Sequence, residues 1–200
     1  VENSGVITGA TAGKFGLANT ADIALLFKGD TSNTWGTPIT AGVNRLTNAG
    51  TIASPGTAVL AEAGDTIVTN HAGGLISGGR CAIQTGPGAD TIVVNGGRIE
   101  GGEYAIRTGA GNDTVTIFGG GLVGRVDLGT GTDVFNVAAG GVRLGVALRR
   151  DTADTARILV KDGGAGTVTL ADNTVVAVQA GGGAAIGNND RFVLVDTDNL

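Results

Sequence analysis

Apolar and polar residues alternate in short runs along this chain, and the runs return at a nearly fixed interval. In Asp113-Thr-Val-Thr-Ile-Phe118, Val115 and Ile117 fall on one face while Thr114 and Thr116 fall on the other. That is the period-2 signature of a strand. Two shorter apolar-centred pieces precede it, Gly97-Arg-Ile99-Glu100 and Tyr104-Ala-Ile106-Arg-Thr108, separated by glycine-rich turns. The preceding stretch repeats the arrangement with Ile76, Ile83 and the pair Ile92 and Val94. No segment carries a 3.6-residue apolar period long enough for a repeat helix. The pattern predicts three strands per unit.

Two markers measure the unit. The phrases Ala-Gly-Asp65-Thr-Ile-Val, Gly-Ala-Asp90-Thr-Ile-Val, Gly-Asn-Asp113-Thr-Val-Thr and Gly-Thr-Asp133-Val-Phe-Asn place Asp at intervals of 25, 23 and 20 residues (90−65, 113−90, 133−113). The apolar residue after a glycine falls at Ile52, Ile76, Ile99 and Val123, at intervals of 24, 23 and 24. Periods of this size mark solenoids, in which each unit is too small to bury its own apolar face and must stack on its neighbours. The expected fold is all-β: a right-handed parallel β-helix, a three-sided solenoid with 20–25 residues per coil. Ile76, Ile83, Ile92, Ile99, Ile106, Val115 and Ile117 are expected to point inward.

Residues 1–145 read as repeat coils, since Asn3-Ser-Gly-Val-Ile7 matches Asn48-Ala-Gly-Thr-Ile52 and Asn95-Gly-Gly-Arg-Ile99. Residues 28–45 interrupt the pattern and predict a long loop leaving the body of the solenoid. Residues 146–200 read as less regular coils of the same solenoid, with strands at Ile158–Val160, Thr167–Leu170, Thr174–Val178 and Phe192–Val195. Arg149 to Arg157, the most polar stretch, predicts a turn or short helix.

Composition sharpens this picture. Aromatic residues make up only 4% of the 200 residues, against 38 Gly. The core must therefore be built from Val, Ile, Leu, Ala and Thr in thin layers. A mean hydropathy of +0.23 argues for a folded chain rather than a disordered one. The net charge of −5 disfavours nucleic acid, whose phosphates need a basic footprint. The longest apolar run, Ile23 to Phe27, is far too short to span a bilayer. The single cysteine, Cys81, allows no internal disulfide. With Val1 first and no Met or signal peptide, the sequence reads as a fragment whose targeting segments lie elsewhere.

The Asp phrases resemble the nonapeptide Gly-Gly-x-Gly-x-Asp-x-apolar-x of calcium-binding repeats. Asp65, Asp90, Asp113 and Asp133 are thus the candidate metal ligands, with calcium the candidate ion. Tandem nonapeptides share an ion between adjacent turns, whereas these phrases come once per coil. The preferred account is a structural turn, in which Gly supplies positive φ and Asp bonds to the turn backbone. Stacked carboxylates would still repel, so an ion, backbone N–H groups or an offset register must relieve them. No other cofactor is expected. His71, the only histidine, lies in the turn Asn70-His-Ala-Gly-Gly74 and reads as a surface residue. Cys81 reads as a buried or edge thiol with no histidine partner. Asn3, Asn48 and Asn95 predict an amide ladder between coils.

An enzyme acting on polysaccharide would need carboxylates and basic residues converging in a groove. Gln84, Arg107 and Asp127, running up one face, are met by a weak surface ladder, and aromatic residues for sugar stacking are scarce. The candidate binding residues are Asp30, Asn33, Thr34 and Trp35. They sit in the longest departure from the repeat, and loops on rigid scaffolds often carry function. Trp35 can equally fold back over the open N-terminal end of the core.

The Asn-x-Gly-x-Ile phrases, Gly121-Leu-Val-Gly-Arg-Val-Asp-Leu-Gly-Thr-Gly-Thr-Asp-Val-Phe135 and the tail Gly166-Thr-Val-Thr-Leu, Thr174-Val-Val-Ala-Val and Asn189-Asp-Arg-Phe-Val-Leu-Val195 together resemble the passenger repeats of bacterial autotransporters. The resemblance covers roughly residues 1–10 and 46–195. It implies export to the Gram-negative cell surface or secretion, with membrane contact only through a barrel domain outside this sequence. The protease signature Gly-Asp-Ser-Gly does not occur, so passenger hydrolase activities are not carried over. The expected role is a non-enzymatic stalk or adhesin, with a host-cell or matrix glycan or protein, or a second copy, as partner. The alternatives are a polysaccharide-acting β-helix enzyme and a calcium-stabilised module of the repeats-in-toxin or surface-layer kind.

Overall fold

A computed structural model of the chain describes residues 1–8, 23–27, 42–148, 158–160, 166–180 and 195–197. The described residues form strands and turns, with no helix among them. The strands come in threes. β1 (Glu2–Asn3), β2 (Val6–Thr8) and β3 (Ile23–Phe27) are followed by β4 (Asn44–Asn48), β5 (Thr51–Ser54) and β6 (Thr57–Ala61), then by β7 (Thr66–His71), β8 (Leu75–Gly78) and β9 (Cys81–Gln84). β10 (Thr91–Arg107) and β11 (Thr114–Asp127) each run through a whole coil as one strand, with shifts of pairing register where the coil turns its corners. β12 (Val134–Val137), β13 (Arg143–Leu148) and β14 (Ile158–Val160) come next, and β15 (Thr167–Leu170), β16 (Val175–Ala180) and β17 (Val195–Thr197) last.

Each strand pairs in parallel with the strand at the same place in the next coil, which gives three stacked sheets. The first runs β1, β4, β7, the start of β10, the start of β11, β12 and β15. The second runs β2, β5, β8, the middles of β10 and β11, β13 and β16. The third runs β3, β6, β9, the ends of β10 and β11, β14 and β17. This is a parallel β-solenoid, with four complete turns in the continuous stretch from β4 to β11.

Ile76, Ile83, Ile92, Ile99, Ile106, Val115 and Ile117 are fully buried, as the alternation predicts. They stack on their own kind: Ile52 on Ile76, Ile76 on Ile99, and Ile83 on Ile106. Branched side chains repeated at one step fill a narrow interior without large rings. Phe135 is the one buried aromatic among the described residues.

The strands also depart from the sequence expectation in detail. Ile99 pairs with Leu122, and Leu122 is buried while Val123 faces outward, half-exposed. Both are apolar, so alternation alone could not choose between them. β4 also claims Asn44 and Arg45, the last two residues of the expected 28–45 loop, because Asn44 pairs with Thr66. Residues 28–41, which include Asp30, Asn33, Thr34 and Trp35, lie outside the described residues, as does the Arg149–Arg157 stretch.

Candidate functional site

The Asp phrases build a buried ladder along one corner. Asp90, Asp113 and Asp133 are each at most 1% exposed. One oxygen of each accepts a backbone N–H from the coil before it: Thr66 N–H donates to Asp90 Oδ1 (2.7 Å), Asp90 N–H to Asp113 Oδ1 (2.9 Å) and Asp113 N–H to Asp133 Oδ1 (2.9 Å). The glycines admit this approach. Gly88 and Gly111 stand at φ 144° and 135°, and a Cβ on Gly111 would strike the Gly88 carbonyl oxygen.

Asp65 is not a rung of this ladder. The strand register sets Thr66 opposite Asp90, one residue beyond the motif alignment. Asp65 is exposed, and its Oδ1 accepts from Ala89 N–H of the next coil at 2.8 Å. Asn112 does the same for Thr132 N–H at 2.8 Å. Stacked charge is thus diluted in the β7–β9 coil by the neutral Thr66.

The outer oxygen of Asp90 meets a threonine. Thr85 Oγ1 lies 2.5 Å from Asp90 Oδ2 and 3.0 Å from the Thr108 carbonyl oxygen. Thr108, the counterpart beside Asp113, donates its proton to the Leu128 carbonyl at 2.8 Å, leaving Asp113 Oδ2 buried without a hydrogen bond among the described residues. Burial pushes the Asp90 carboxyl up to about 6, with Asp113 adding to the rise and the Thr85 hydroxyl opposing it. Burial also raises Asp113, and the Asp90 N–H that its Oδ1 accepts opposes the rise. Among the described residues no group of three or more His, Cys, Asp or Glu is arranged to hold a metal ion.

The amide ladder has a different third member from the one the motif suggests. Asn3 Nδ2 donates to Asn48 Oδ1 and Asn48 Nδ2 to Asn70 Oδ1, both at 2.8 Å. Asn70 caps the run by donating to the Gly74 and Arg98 carbonyls, each at 3.1 Å. Asn95 is exposed, since Val94 takes the inward place opposite Asn70.

The remaining candidates fall on separate faces. His71 ends β7, half-buried. Cys81 is buried, its S–H donates to the Ile83 carbonyl at 3.2 Å, and desolvation pushes the thiol up to about 12. Gln84, Arg107 and Asp127 do align up the third sheet, where the Tyr104 ring lies 5.5 Å from Arg107 and 5.1 Å from Arg125.

A feature with no sequence motif is a groove of about 700 Å³ on the second sheet and its preceding corner. Arg98, Glu100 and Arg143 border it above a lining of Leu75, Val123 and glycines. The fold defines the protein as a parallel β-solenoid. Compared with known proteins, the chain matches no family model, no curated protein and no solved structure.

Proposed function

We propose that this chain is a non-enzymatic segment of a surface-displayed or secreted protein of the autotransporter type, working as a stalk or adhesin. The observation that carries the reading is where the repeat spends its specified residues. The isoleucine columns, the Asn3–Asn48–Asn70 ladder and the Asp90–Asp113–Asp133 ladder all face inward and all serve coil-to-coil stacking. Outward positions differ from coil to coil: Thr51, Leu75, Arg98, Gly121 and Arg143 succeed one another along one line. A constant interior with a variable exterior suits a rigid spacer that displays recognition surfaces.

The partner in this reading is a host-cell or matrix glycan or protein, or a second copy of the chain. The purified protein, immobilised on beads, is expected to attach to cells or to a glycan panel without consuming the glycans. New reducing ends or unsaturated products formed at a steady rate would sink the stalk reading and favour the polysaccharide enzyme. In the producing bacterium, surface protease should remove the segment from intact cells.

A further inference from the structure

The groove on the second sheet crosses four coils, from Gly73–Leu75 through Gly96–Glu100 and Gly120–Val123 to Arg143 and Gly145. The register sets Leu75, Arg98, Gly121 and Arg143 on one outward line, and Ser77, Glu100, Val123 and Gly145 on the line beside it. Adjacent coils are about 4.8 Å apart. Arg98 and Arg143, two coils apart, therefore stand about 10 Å from one another along the axis. Gly121 leaves a gap between them, and the backbone keeps it open: a Cβ there would come within 2.8 Å of the Arg143 carbonyl oxygen. Leu75 and Val123 are half-exposed and give the floor its apolar surface.

Both arginines are exposed. Arg98 is paired with Glu100, while Arg143 has no ion pair among the described residues. Backbone N–H and C=O groups along the floor are used in the ladders between coils, so an extended peptide cannot add to the sheet here. What fits is a chain that brings its own rigid apolar faces and its own anions. Guanidinium forks suit carboxylates, which they bind through paired hydrogen bonds.

We propose that this groove binds an acidic oligosaccharide laid along the solenoid axis, with carboxylates on alternate sugar rings seated on Arg98 and Arg143 and ring faces resting on Leu75 and Val123. In an extended two-fold chain, acids on alternate rings face the same side, so the ligand repeats its charge once for every two coils. One ligand carboxylate displaces Glu100 from Arg98, at little cost because exposed ion pairs are weak. Arg143, with no such competitor, supplies the larger share of the affinity. The site requires neither surface display nor the 28–41 segment, so it goes beyond the stalk reading.

The test is calorimetric titration of the whole chain with tetragalacturonate, beside maltotetraose and a hexaglutamate peptide as neutral and peptidic controls. Tetragalacturonate is expected to bind, and to weaken severalfold between about 50 and 200 mM salt, because ions screen charge pairs at an exposed site. Arg143→Gln should weaken it about tenfold, the worth of one charge-assisted hydrogen-bonded pair of about 1.4 kcal/mol. Arg98→Gln should weaken it less, and the double variant should abolish it. Both side chains are exposed, and unchanged melting curves would show the variants folded. No binding by the folded parent, equal binding by the double variant, or equal binding of maltotetraose or hexaglutamate would overturn the proposal. Cell attachment scored with the same double variant separates this site from the adhesin reading. A parent that attaches to cells but does not bind tetragalacturonate leaves the adhesin reading standing and removes this one, whereas a double variant that loses tetragalacturonate and keeps attachment supports this site and shows that attachment runs through another surface.

Discussion

Replacing Asp113 by Asn and by Ala should give opposite results, and the contrast tests the carboxylate ladder directly. Asp113 uses Oδ1 to accept the buried Asp90 N–H and keeps Oδ2 buried without a hydrogen bond. Asp113→Ala removes the acceptor and orphans that amide, which costs about 1–3 kcal/mol. For a chain of this length, each kcal/mol is worth about 2–4 °C in melting temperature. Asp113→Asn keeps the Oδ1 acceptor and replaces the unpartnered oxygen with an NH₂, for which the neighbouring Thr108 Oγ1 is an acceptor because its own proton goes to Leu128. It also removes one of the three stacked carboxylates of the buried ladder. At pH 7 the Asn variant should therefore be at least as stable as the parent.

The pH profile supplies the sign. Burial raises both Asp90 and Asp113, and Asp90 titrates at about 6 instead of 3.8. A carboxyl raised on folding binds its proton more tightly in the native state, so its stabilising contribution is complete below 3.8 and is lost as pH climbs through about 6. At about 1.4 kcal/mol per pH unit of difference, the loss for Asp90 reaches at most about 3 kcal/mol. Chemical denaturation at pH 4, 5.5, 7 and 8 should show the parent losing more stability with rising pH than Asp113→Asn does. Parallel profiles, or an Asn variant as unstable as the Ala variant at pH 7, would refute the account of the ladder.

Four further outcomes rest on the same geometry. Ile99→Asp puts a charge into a fully buried stack and should prevent cooperative folding, whereas Arg107→Ala, on an exposed side chain, should cost about 1 kcal/mol or less; circular dichroism melts distinguish them, and a near-parental melt for Ile99→Asp would contradict the inward assignment. Asn70→Ala should cost about 1–3 kcal/mol by breaking a buried ladder, while Asn95→Ala should stay within about 0.5 kcal/mol; the reverse order would mean that the motif alignment, not the structural register, is right. Cys81, buried with its thiol pushed up to about 12, should react with a disulfide reagent at neutral pH only after denaturant is added. Chelator and millimolar calcium should change the melting temperature by only a few degrees, and a rise of tens of degrees lost in Asp90→Ala would restore the calcium module as the better reading.

The period, the three strands per coil and the inward isoleucines were legible because branched apolar residues bounded by glycines leave few other ways to bury a face. The register was less legible, and for a physical reason. Motif alignment pairs Asp65 with Asp90 and Asn48 with Asn95, but hydrogen bonding sets Thr66 opposite Asp90 and Val94 opposite Asn70. In Asp65-Thr-Ile-Val-Thr-Asn70, either Ile67 or Val68 could turn inward by hydrophobicity alone. The inward parity of Thr66, Val68 and Asn70 is decided by what stacks below and above them, Asn48 on one side and Asp90 on the other. The 25-residue Asp interval, one longer than any interval of the apolar marker, was the one trace of this slip in the sequence.

A one-residue slip matters more in a strand than in a turn, because it exchanges the buried face for the exposed one. Taking Val123 as the inward residue sends Leu122 outward and puts Gly121 on the interior side. The outward line of Leu75, Arg98, Gly121 and Arg143 then does not exist, and neither does the groove. Pairing Leu122 with Ile99 restores both together. The outward surface of a solenoid is thus the complement of its core register: residues that specify stacking repeat and are found by motif, while outward residues vary and become visible only once each coil is set on the next. That is why the ladders were visible in the sequence and the groove was not.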